Sequence, residues 1–421
     1  ILMDDIDYKI NFNSDKSSFI TYLSAQKTKR EHYTGIRPEI GSIADNEHVL
    51  DPPYGFSNNL TKQIGMQINH NLINFFLPSE LIIGTEYLVE GVRDEILPYN
   101  YLVNQKVESF GTFLQSDFNV TTSINILAGV RFDRNSTLDK IVVSPRLSFI
   151  YLCNKVTQLR MSYSTGFRAP QAFDTDLHIA FSGGGVSRVF LDENLNEEQS
   201  QSFSASINFD KATNNYIYGA NFEFFVTNLD GAFYQEYLGD DQFGSVFSKK
   251  NGSSATVKGV NINLRGRIID ILQLESGLTL QSSVYDNPVK YSDNLVKEKS
   301  FLRTPSKYGY VNMLLNISKK INFSANLVHT GSMKLIHLAG APEQNTDEYF
   351  VTPVFSSFSI KINYSTALNS FGSSLSFSGG VKNLTNSYQS IFDTTKNRDS
   401  NFIYGPSLPR TFFVGVTINS L

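Results

Sequence analysis

The chain has 421 residues, a formal net charge of −4 and a single cysteine. The near balance of charge argues against a surface for nucleic acid, and one cysteine excludes an intrachain disulfide framework. No run of about 18 apolar residues is present, so a transmembrane helix is excluded. With 21 Tyr, 33 Phe and no Trp, the composition is typical of an all-β chain.

Alternating apolar and polar residues predict seventeen strands. In chain order they lie near residues 1–13, 17–30, 61–73, 79–92, 105–118, 122–134, 142–152, 156–165, 200–210, 214–228, 243–268, 271–285, 305–318, 321–332, 353–365, 372–384 and 410–420. The longer runs exceed the five or six residues of ordinary strands, and a tilted strand crosses a bilayer in roughly 9–11 residues. The predicted fold class is therefore an all-β, transmembrane antiparallel barrel.

The connections between these strands alternate between two lengths. Tight turns are predicted at Ser14-Asp15-Lys16, Cys153-Asn154-Lys155, Lys211-Ala212-Thr213 and Ile269-Asp270. Long excursions are predicted at 31–60, 166–199, 286–304, 333–352 and 385–409. Outer-membrane barrels have short periplasmic turns and long outer loops, and an even number of strands in single bacterial chains. Since the first strand leaves through a tight turn, it runs inward, and an odd number of strands is expected to precede it.

Three stretches carry a family resemblance. "SYSTGFRAPQAFDTDLHI" (162–179) is followed by "FLDENLNEEQSQSFSASINF" (190–209), and "GGVKNLTNSYQ" (379–389) precedes "YGPSLPRTFFVGVTI" (404–418). In this order they resemble the FRAP loop, the end of the penultimate strand and the start of the last strand in TonB-dependent outer-membrane receptors. The resemblance covers about 110 to 418, and the long FRAP form resembles receptors of the Bacteroidetes type. The loop departs from the family pattern in having no proline at 194–198.

The resemblance implies a 22-stranded barrel of the bacterial outer membrane, with about 17 strands in this chain. Residues 1–421 would then be an N-terminally incomplete barrel, without the plug domain, the first five strands and the TonB-interaction segment. The implied function is active import of a scarce bulky nutrient, such as siderophore-iron, haem or cobalamin. The implied partners are outer-membrane lipid, TonB through the absent N-terminal region, the small-molecule cargo and a possible surface lipoprotein.

Two groups of residues are candidates for the site. In the predicted loop 166–199, ligand contact is a hypothesis for Arg168, Asp174, Asp176 and His178, although turn capping and local hydrogen bonds are the commoner roles of such residues. On the lumen face, contact with the plug is expected for Arg265, Arg267, Glu223 and Glu275.

Two other functions remain open at this stage. A passive porin is the main alternative, because a porin has the same strand pattern and carries no plug. An enzyme barrel is disfavoured, since no serine-centred motif accompanies the histidine and carboxylates of loop 166–199. No cofactor is expected.

Overall fold

The computed structural model describes the chain except for residues 13–15, 34–36, 73–76, 172–187, 242–243, 293, 341–342, 369–372, 395–398, 400–401 and 421. The described part forms one short helix, α1 (Ile43–Leu50), a 3₁₀ turn at Leu97–Tyr99, and strands. In chain order the strands are β1 (Leu2–Phe12), β2 (Ser17–Tyr33), β3 (Tyr54–Leu72), β4 (Ser79–Ile96), β5 (Tyr101–Asn119), β6 (Ile124–Asn135), β7 (Ile141–Asn154), β8 (Thr157–Arg168), β9 (Arg188–Leu191), β10 (Glu198–Ala212), β11 (Tyr216–Asp230), β12 (Phe233–Asp241), β13 (Gly244–Asn251), β14 (Ala255–Ile268), β15 (Leu272–Val289), β16 (Glu298–Ser300), β17 (Lys307–Asn316), β18 (Ile321–Thr330), β19 (Lys334–His337), β20 (Glu348–Val351), β21 (Phe355–Leu368), β22 (Ser373–Lys382) and β23 (Thr411–Ser420).

One large antiparallel sheet contains most of these strands. Each strand pairs with the next in the order β1 to β8, β10, β11, β14, β15, β17, β18, β21, β22 and β23, and the short β16 also pairs with β15. The seventeen strands of this meander correspond in order to the seventeen predicted, with β14 matching only the C-terminal part of the predicted strand 243–268. Among the described residues no pairing joins β1 to β23. In the described residues, helix α1 is too short and too polar to cross a membrane.

The two faces of the sheet differ as the alternation predicted. Leu274, Leu278 and Leu280 on β15 are 42, 41 and 46% exposed, and the last strand exposes Val414 at 92%. A strand's side chains alternate between its faces, so the polar residues between these apolar ones share the opposite face. The apolar face is the lipid-facing wall and the polar face lines the lumen.

The predicted tight turns at 153–155, 211–213 and 269–270 lie at one end of the sheet. Ser14 and Asp15 of the fourth predicted turn lie outside the described residues. At the turn between β14 and β15, the Ile271 amide donates to the Ile268 carbonyl at 3.1 Å. Asp270 has a φ of 64° there, a left-handed conformation that Asp tolerates better than most side chains. The long connections lie at the other end, which is therefore the outer end.

Two predictions about strand limits were wrong. The predicted strand 243–268 is two strands, β13 and β14, because Gly252-Ser253-Ser254 interrupts the ladder and β13 belongs to a separate small sheet. In addition, strands β2 to β8, β10, β11 and β15 extend beyond their predicted outer ends. For example, β3 begins at Tyr54 rather than near 61, and it contains 19 residues. Such strands are longer than a bilayer requires, so they carry the wall above the membrane.

The outer connections fold against one another. β12, β13 and β9 form a three-stranded sheet that joins the β8–β10 loop to the β11–β14 loop, and β19 pairs with β20. The largest buried apolar cluster also lies at this end and contains Leu335, Phe355, Phe402 and Tyr404, with Phe350 packed against it. The hydrophobic core of the described chain is therefore concentrated in the outer loops.

Candidate lumen and outer-mouth site

Arg265, predicted to face the lumen, forms an ion pair there. Its Nε donates to Asp210 Oδ1 at 2.7 Å, and its Nη2 contacts the other carboxylate oxygen. Asp210 lies on β10 and Arg265 on β14, so the pair reaches over the intervening strand at Gly219. A Cβ added to Gly219 would lie 2.3 Å from Asp210 Oδ1 and 2.8 Å from Arg265 Nε. The glycine therefore makes room for the ion pair.

The other lumen candidates lie on the same face. Glu275 is directly opposite Arg265 across the β14–β15 ladder. Glu223 Oε2 accepts a hydrogen bond from Asn261 Nδ2 at 3.0 Å, and Asn261 Oδ1 accepts one from Thr279 at 2.9 Å. These groups form a polar row across β11, β14 and β15.

Arg267 is two residues from Arg265 and is exposed on the same face, closer to the periplasmic turn. Gln273 lies opposite it on β15 and donates to Glu275 at 2.8 Å. Near this turn the lumen wall therefore presents Arg267 together with the charged ends of Arg265 and Glu275. Contact with a plug stays a prediction for these residues.

A second lumen network was not predicted as a unit. Glu86 on β4 accepts a hydrogen bond from the Tyr22 hydroxyl on β2, and Arg131 Nη2 on β6 approaches Glu86 Oε1 at 3.6 Å. Arg131 Nε also donates to Asp133 at 2.8 Å. The bridged strands carry Gly65 and Gly111 at the crossing points; an added Cβ there would lie 2.3 Å from the Tyr22 ring and 2.2 Å from Arg131. A glycine in register between polar residues two strands apart is the signal that could have predicted it.

The FRAP arginine lies at the end of β8. The guanidinium carbon of Arg168 is 5.6 Å from the centre of the Phe233 ring, and the Lys249 ammonium is 4.8 Å from the same centre. The ring therefore lies against two cations, an arrangement that attracts them to its π-face. This contact attaches the start of the β8–β10 loop to the base of the β11–β14 loop. The other three ligand candidates, Asp174, Asp176 and His178, lie outside the described residues.

The first residue beyond the FRAP motif points across the lumen. Gln171 Nε2 donates to Glu90 Oε2 on β4 at 3.4 Å, although β4 and β8 are four strands apart in the sheet. Glu90 has the same strand parity as Glu86 and so faces the lumen. The start of this loop therefore turns inward over the mouth of the barrel.

The return of the same loop is fixed by a buried carboxylate. Glu197 is 5% exposed and binds Lys140, which follows β6, at 2.7 Å. Burial opposes its charge, but hydrogen bonds from Lys140 and Gln199 outweigh burial and lower the pKa of Glu197. The carboxylate therefore stays ionised and holds the entry to β10.

Asn251 joins the two loops side by side. Its Oδ1 accepts from the Asn196 amide at 2.8 Å, while its Nδ2 donates to the Asn196 and Gly231 carbonyls at 3.1 and 2.9 Å. The neighbouring Lys250 Nζ is 2.5 Å from a Glu236 carboxylate oxygen and 3.7 Å from one of Asp192. These contacts make the β8–β10 and β11–β14 loops one unit.

Three further loops form a cap at the other side of the mouth, comprising 290–306, 331–354 and 383–410. At its centre Gln389 is 0% exposed. Its Nε2 donates to the Ile391 and Phe402 carbonyls at 2.8 and 3.0 Å, and its Oε1 accepts from the Tyr404 and Gly405 amides at 2.8 and 3.1 Å. A single side chain thereby satisfies four backbone groups of the last outer loop.

His337 joins two loops of this cap. Its ring stacks on Phe402 with centres 3.7 Å apart and an interplanar angle of 13°. Its Nε2 lies 2.9 Å from Asp393 Oδ1, and its Nδ1 lies 3.7 Å from Glu348 Oε1. The six histidines form no cluster in the sequence, and Asp393 is 56 residues from His337. Only the fold brings them together.

The two C-terminal motifs contact each other at the base of the cap. Asn383 has a φ of 49°, and its Nδ2 donates to the carbonyls of Ser387 and Leu408. Arg410 Nε donates to the Leu384 carbonyl at 2.9 Å. The motifs quoted from 379–389 and 404–418 thus close the last outer loop, which is a structural role.

A cleft of ≈ 670 Å³ lies between the two groups of loops. Its lining includes Tyr234 and Glu236 from β12 and Lys290, Tyr291 and Lys297 from the β15–β17 loop. Burial, followed by the neighbouring Tyr285, raises the pKa of the Tyr291 hydroxyl, so this group is a neutral hydrogen-bonding partner. Within the described residues no group of three or more His, Cys, Asp or Glu side chains is arranged to hold a metal ion.

Comparison with protein families gives a match along most of the sequence. The model described as "TonB dependent receptor-like, beta-barrel" matches residues 3–384. The chain belongs to this family of TonB-dependent receptor barrels. The receptor barrels of the family lie in the outer membrane of Gram-negative bacteria, which accounts for the lipid-facing wall. No protein with a curated description matches the sequence.

Solved receptor structures share the fold. A mutant of the ferric enterobactin receptor PfeA from Pseudomonas aeruginosa is 15% identical, with a TM-score of 0.69, covering 100% of this chain and 62% of that one. The siderophore receptor PirA from Acinetobacter baumannii is 14% identical, with a TM-score of 0.70 and the same coverage. The ferripyoverdine receptor of Pseudomonas aeruginosa is 13% identical, with a TM-score of 0.70, covering 99% of this chain and 56% of that one. The present receptor chain thus spans about three fifths of these proteins.

Proposed function

We propose that the whole protein actively imports a scarce bulky nutrient through TonB, and that a ferric siderophore is the cargo. Family membership supports a receptor role, and the structurally similar proteins named above are receptors for ferric enterobactin, ferripyoverdine and siderophores. Haem and cobalamin are the alternative cargoes among scarce bulky nutrients. A surface lipoprotein partner and a Bacteroidetes origin depend on the FRAP resemblance and stay predictions.

The observation that carries the proposal is the linking of the outer loops over the lumen. Gln171 reaches Glu90 across the mouth, and the β8–β10 and β11–β14 loops share a sheet. The cap has an apolar core of its own. Diffusion through a porin needs an open mouth, whereas a receptor needs a covered chamber that holds its ligand.

The cleft between the loops is the proposed recognition site. Tyr234 and Tyr291 offer aromatic faces, and Lys290 and Lys297 offer positive charge. Aromatic rings and cations together suit an anionic ligand that carries rings, as a catechol-type chelate does. Glu236 is partly neutralised by Lys250, which favours an anionic ligand further.

We propose that the lumen wall serves the energy-coupled step. In the whole protein, a plug domain would pack against Arg265, Arg267, Glu223 and Glu275 near the periplasmic end, and five further strands would complete a barrel of 22. An exposed charged row needs a polar partner or water. A plug with complementary charge would satisfy that row and would move when TonB pulls on it.

The test uses the whole gene in a bacterial strain that lacks its own siderophore receptors. Under iron limitation, growth and uptake are measured with catecholate and hydroxamate siderophores, haem and cobalamin, with and without TonB. We expect TonB-dependent uptake of one ferric siderophore. Uptake that persists without TonB, with steady ion conductance in planar bilayers, would instead establish a porin.

A charge reversal in the cleft tests the recognition site. Lys297→Glu should weaken uptake of an anionic chelate about tenfold or more, because it reverses one charge beside the ligand. Lys258→Glu is the matched control, since Lys258 is exposed on the lipid-facing side of β14. If the Lys297→Glu variant took up the chelate as fast as the Lys258→Glu control, the cleft would be excluded as the recognition site.

A further inference from the structure

The sequence contains one Asn-Gly pair, Asn251-Gly252, and its asparagine is the last residue of β13. Asparagine deamidates most readily before glycine, because glycine has no side chain to shield its amide nitrogen from the carbonyl carbon of the asparagine side chain. In the folded receptor this pair lies where the β8–β10 and β11–β14 loops meet. Its chemistry is therefore coupled to the contact between two outer loops.

Packing requires glycine at position 252. A Cβ added there would lie 2.9 Å from Tyr234 Cδ1 and 3.0 Å from the Ala232 carbonyl oxygen. These contacts are too close for a side chain, so any other residue would displace the Tyr234 ring or the chain entering β12. The fold therefore keeps a chemically labile pair at this position.

The closed loops hold the groups that deamidation needs. Asn251 Oδ1 accepts from the Asn196 amide at 2.8 Å, and its Nδ2 donates to the Asn196 and Gly231 carbonyls at 3.1 and 2.9 Å. The Gly252 amide donates to the Ala232 carbonyl at 2.8 Å. These four hydrogen bonds are called the joint below. They fix the side chain and engage the attacking nitrogen, and ring closure requires both to be released.

We propose that Asn251 is a deamidation site that reacts only when the two loops separate, and that the reaction then keeps them apart. In the open state the Gly252 nitrogen loses its proton and attacks Cγ of Asn251, which forms the C–N bond of a five-membered succinimide. The Cγ–Nδ2 bond breaks, and Nδ2 leaves as ammonia with that proton. One water molecule then opens the succinimide and leaves aspartate or isoaspartate at position 251.

Either product would disrupt the joint. An aspartate carboxylate has no N–H donor, so its oxygens would face the Asn196 and Gly231 carbonyls that Nδ2 satisfies in the closed loops. Isoaspartate adds one atom to the backbone, which would move the Gly252 amide away from the Ala232 carbonyl. Because ammonia is lost, closing the loops again would not reverse the change. The chemistry is the same whatever the cargo.

The experiment measures deamidation of the whole receptor in detergent at mildly alkaline pH. Mass spectrometry follows the tryptic peptides that end at Lys258, and a synthetic peptide of residues 247–256 gives the rate without the joint. Each of the four hydrogen bonds contributes about fivefold, so the receptor should deamidate about 600-fold more slowly than the peptide.

Three variants test whether the joint controls the rate. Phe233→Ala removes the ring that both Arg168 and Lys249 contact, which attaches the two loops to each other, and should accelerate deamidation at least about tenfold. Lys250→Met removes the neighbouring ion pairs and should accelerate it about threefold even if Phe233→Ala does not assemble. Phe350→Ala is the matched control, because it removes an aromatic ring from the cap, and it should leave the rate unchanged.

A fourth variant, Asn251→Asp, tests the consequence of the reaction. Amides of β9 and β13 should exchange hydrogen about 25-fold faster in it, because two hydrogen bonds are lost, whereas amides of β17 and β18 should exchange at the unaltered rate. Equal deamidation rates in the receptor and the peptide would overturn the proposal. Unchanged deamidation in both Phe233→Ala and Lys250→Met, or unchanged hydrogen exchange in Asn251→Asp, would overturn it as well.

Discussion

Replacing Gln389 by leucine should open the outer cap while leaving the barrel wall folded. The side chain is fully buried and makes four hydrogen bonds to backbone groups of the same loop. Each such bond contributes about 1 kcal/mol net, so the substitution should cost about 4 kcal/mol. Leucine has a similar volume, and therefore the loss comes from unsatisfied backbone groups rather than from a large cavity.

Hydrogen exchange of the receptor in detergent measures this effect locally. A loss of about 4 kcal/mol corresponds to exchange about a thousandfold faster wherever cap opening governs exchange. The peptide 402–410 reports on the loop that contains Gln389. The amide of Thr352, which donates to the Met333 carbonyl at 2.8 Å, reports on the neighbouring loop. Amides in the centre of β17 and β18 should exchange at the unaltered rate.

Gln344→Leu is the matched control because Gln344 lies in the same cap. Its side chain is half-buried and donates a 2.6 Å hydrogen bond to the Thr346 carbonyl in its own loop. This variant should change exchange less than tenfold. If peptide 402–410 exchanged at similar rates in both variants, Gln389 would not be the central contact of the cap.

Three further predictions follow from single contacts. Gly219→Ala should destabilise the barrel by about 1–3 kcal/mol in thermal unfolding, since its Cβ would meet the lumen ion pair, whereas Gly266→Ala should be neutral because nothing lies within 4 Å. For Glu298, burial opposes ionisation, but hydrogen bonds from a lysine and a serine prevail and lower its pKa to about 2. The ionised Glu298 carboxylate should therefore stabilise the cap fully above its ordinary pKa of 4.5, and this stabilisation should be lost as the pH falls towards 2. A rate of cap proteolysis that stayed constant over this pH range would contradict the reasoning. A double-mutant cycle between Arg168→Ala and Phe233→Ala should give a coupling of about 1 kcal/mol, and a coupling near zero would refute the cation–π contact.

The differences between prediction and structure have identifiable causes. The seventeen strands of the wall were predictable because a lipid-facing strand must alternate over its whole length, as β15 does. The predicted strand 243–268 failed because β13 also alternates, and alternation cannot distinguish a wall strand from a strand in a loop sheet. The polar face was also predictable, because alternate residues of a strand point to the same side of the sheet. It carries the lumen residues Arg265, Arg267, Glu223 and Glu275. Their ion pairs were not predictable, since partners such as Asp210 are 55 residues away.

The sequence by itself determined the barrel class, the order of the strands and which end of the wall carries the long loops. Those properties depend on local period, run length and turn length, and the bilayer imposes the same requirement on every strand. The tertiary structure alone decided how the outer loops combine. His337 meets Asp393 and Phe402, Gln389 closes the last loop, and β9 pairs with β13, although none of these segments has a period that specifies a partner. Such contacts form only after the wall has brought the loop ends together, so no local pattern encodes them.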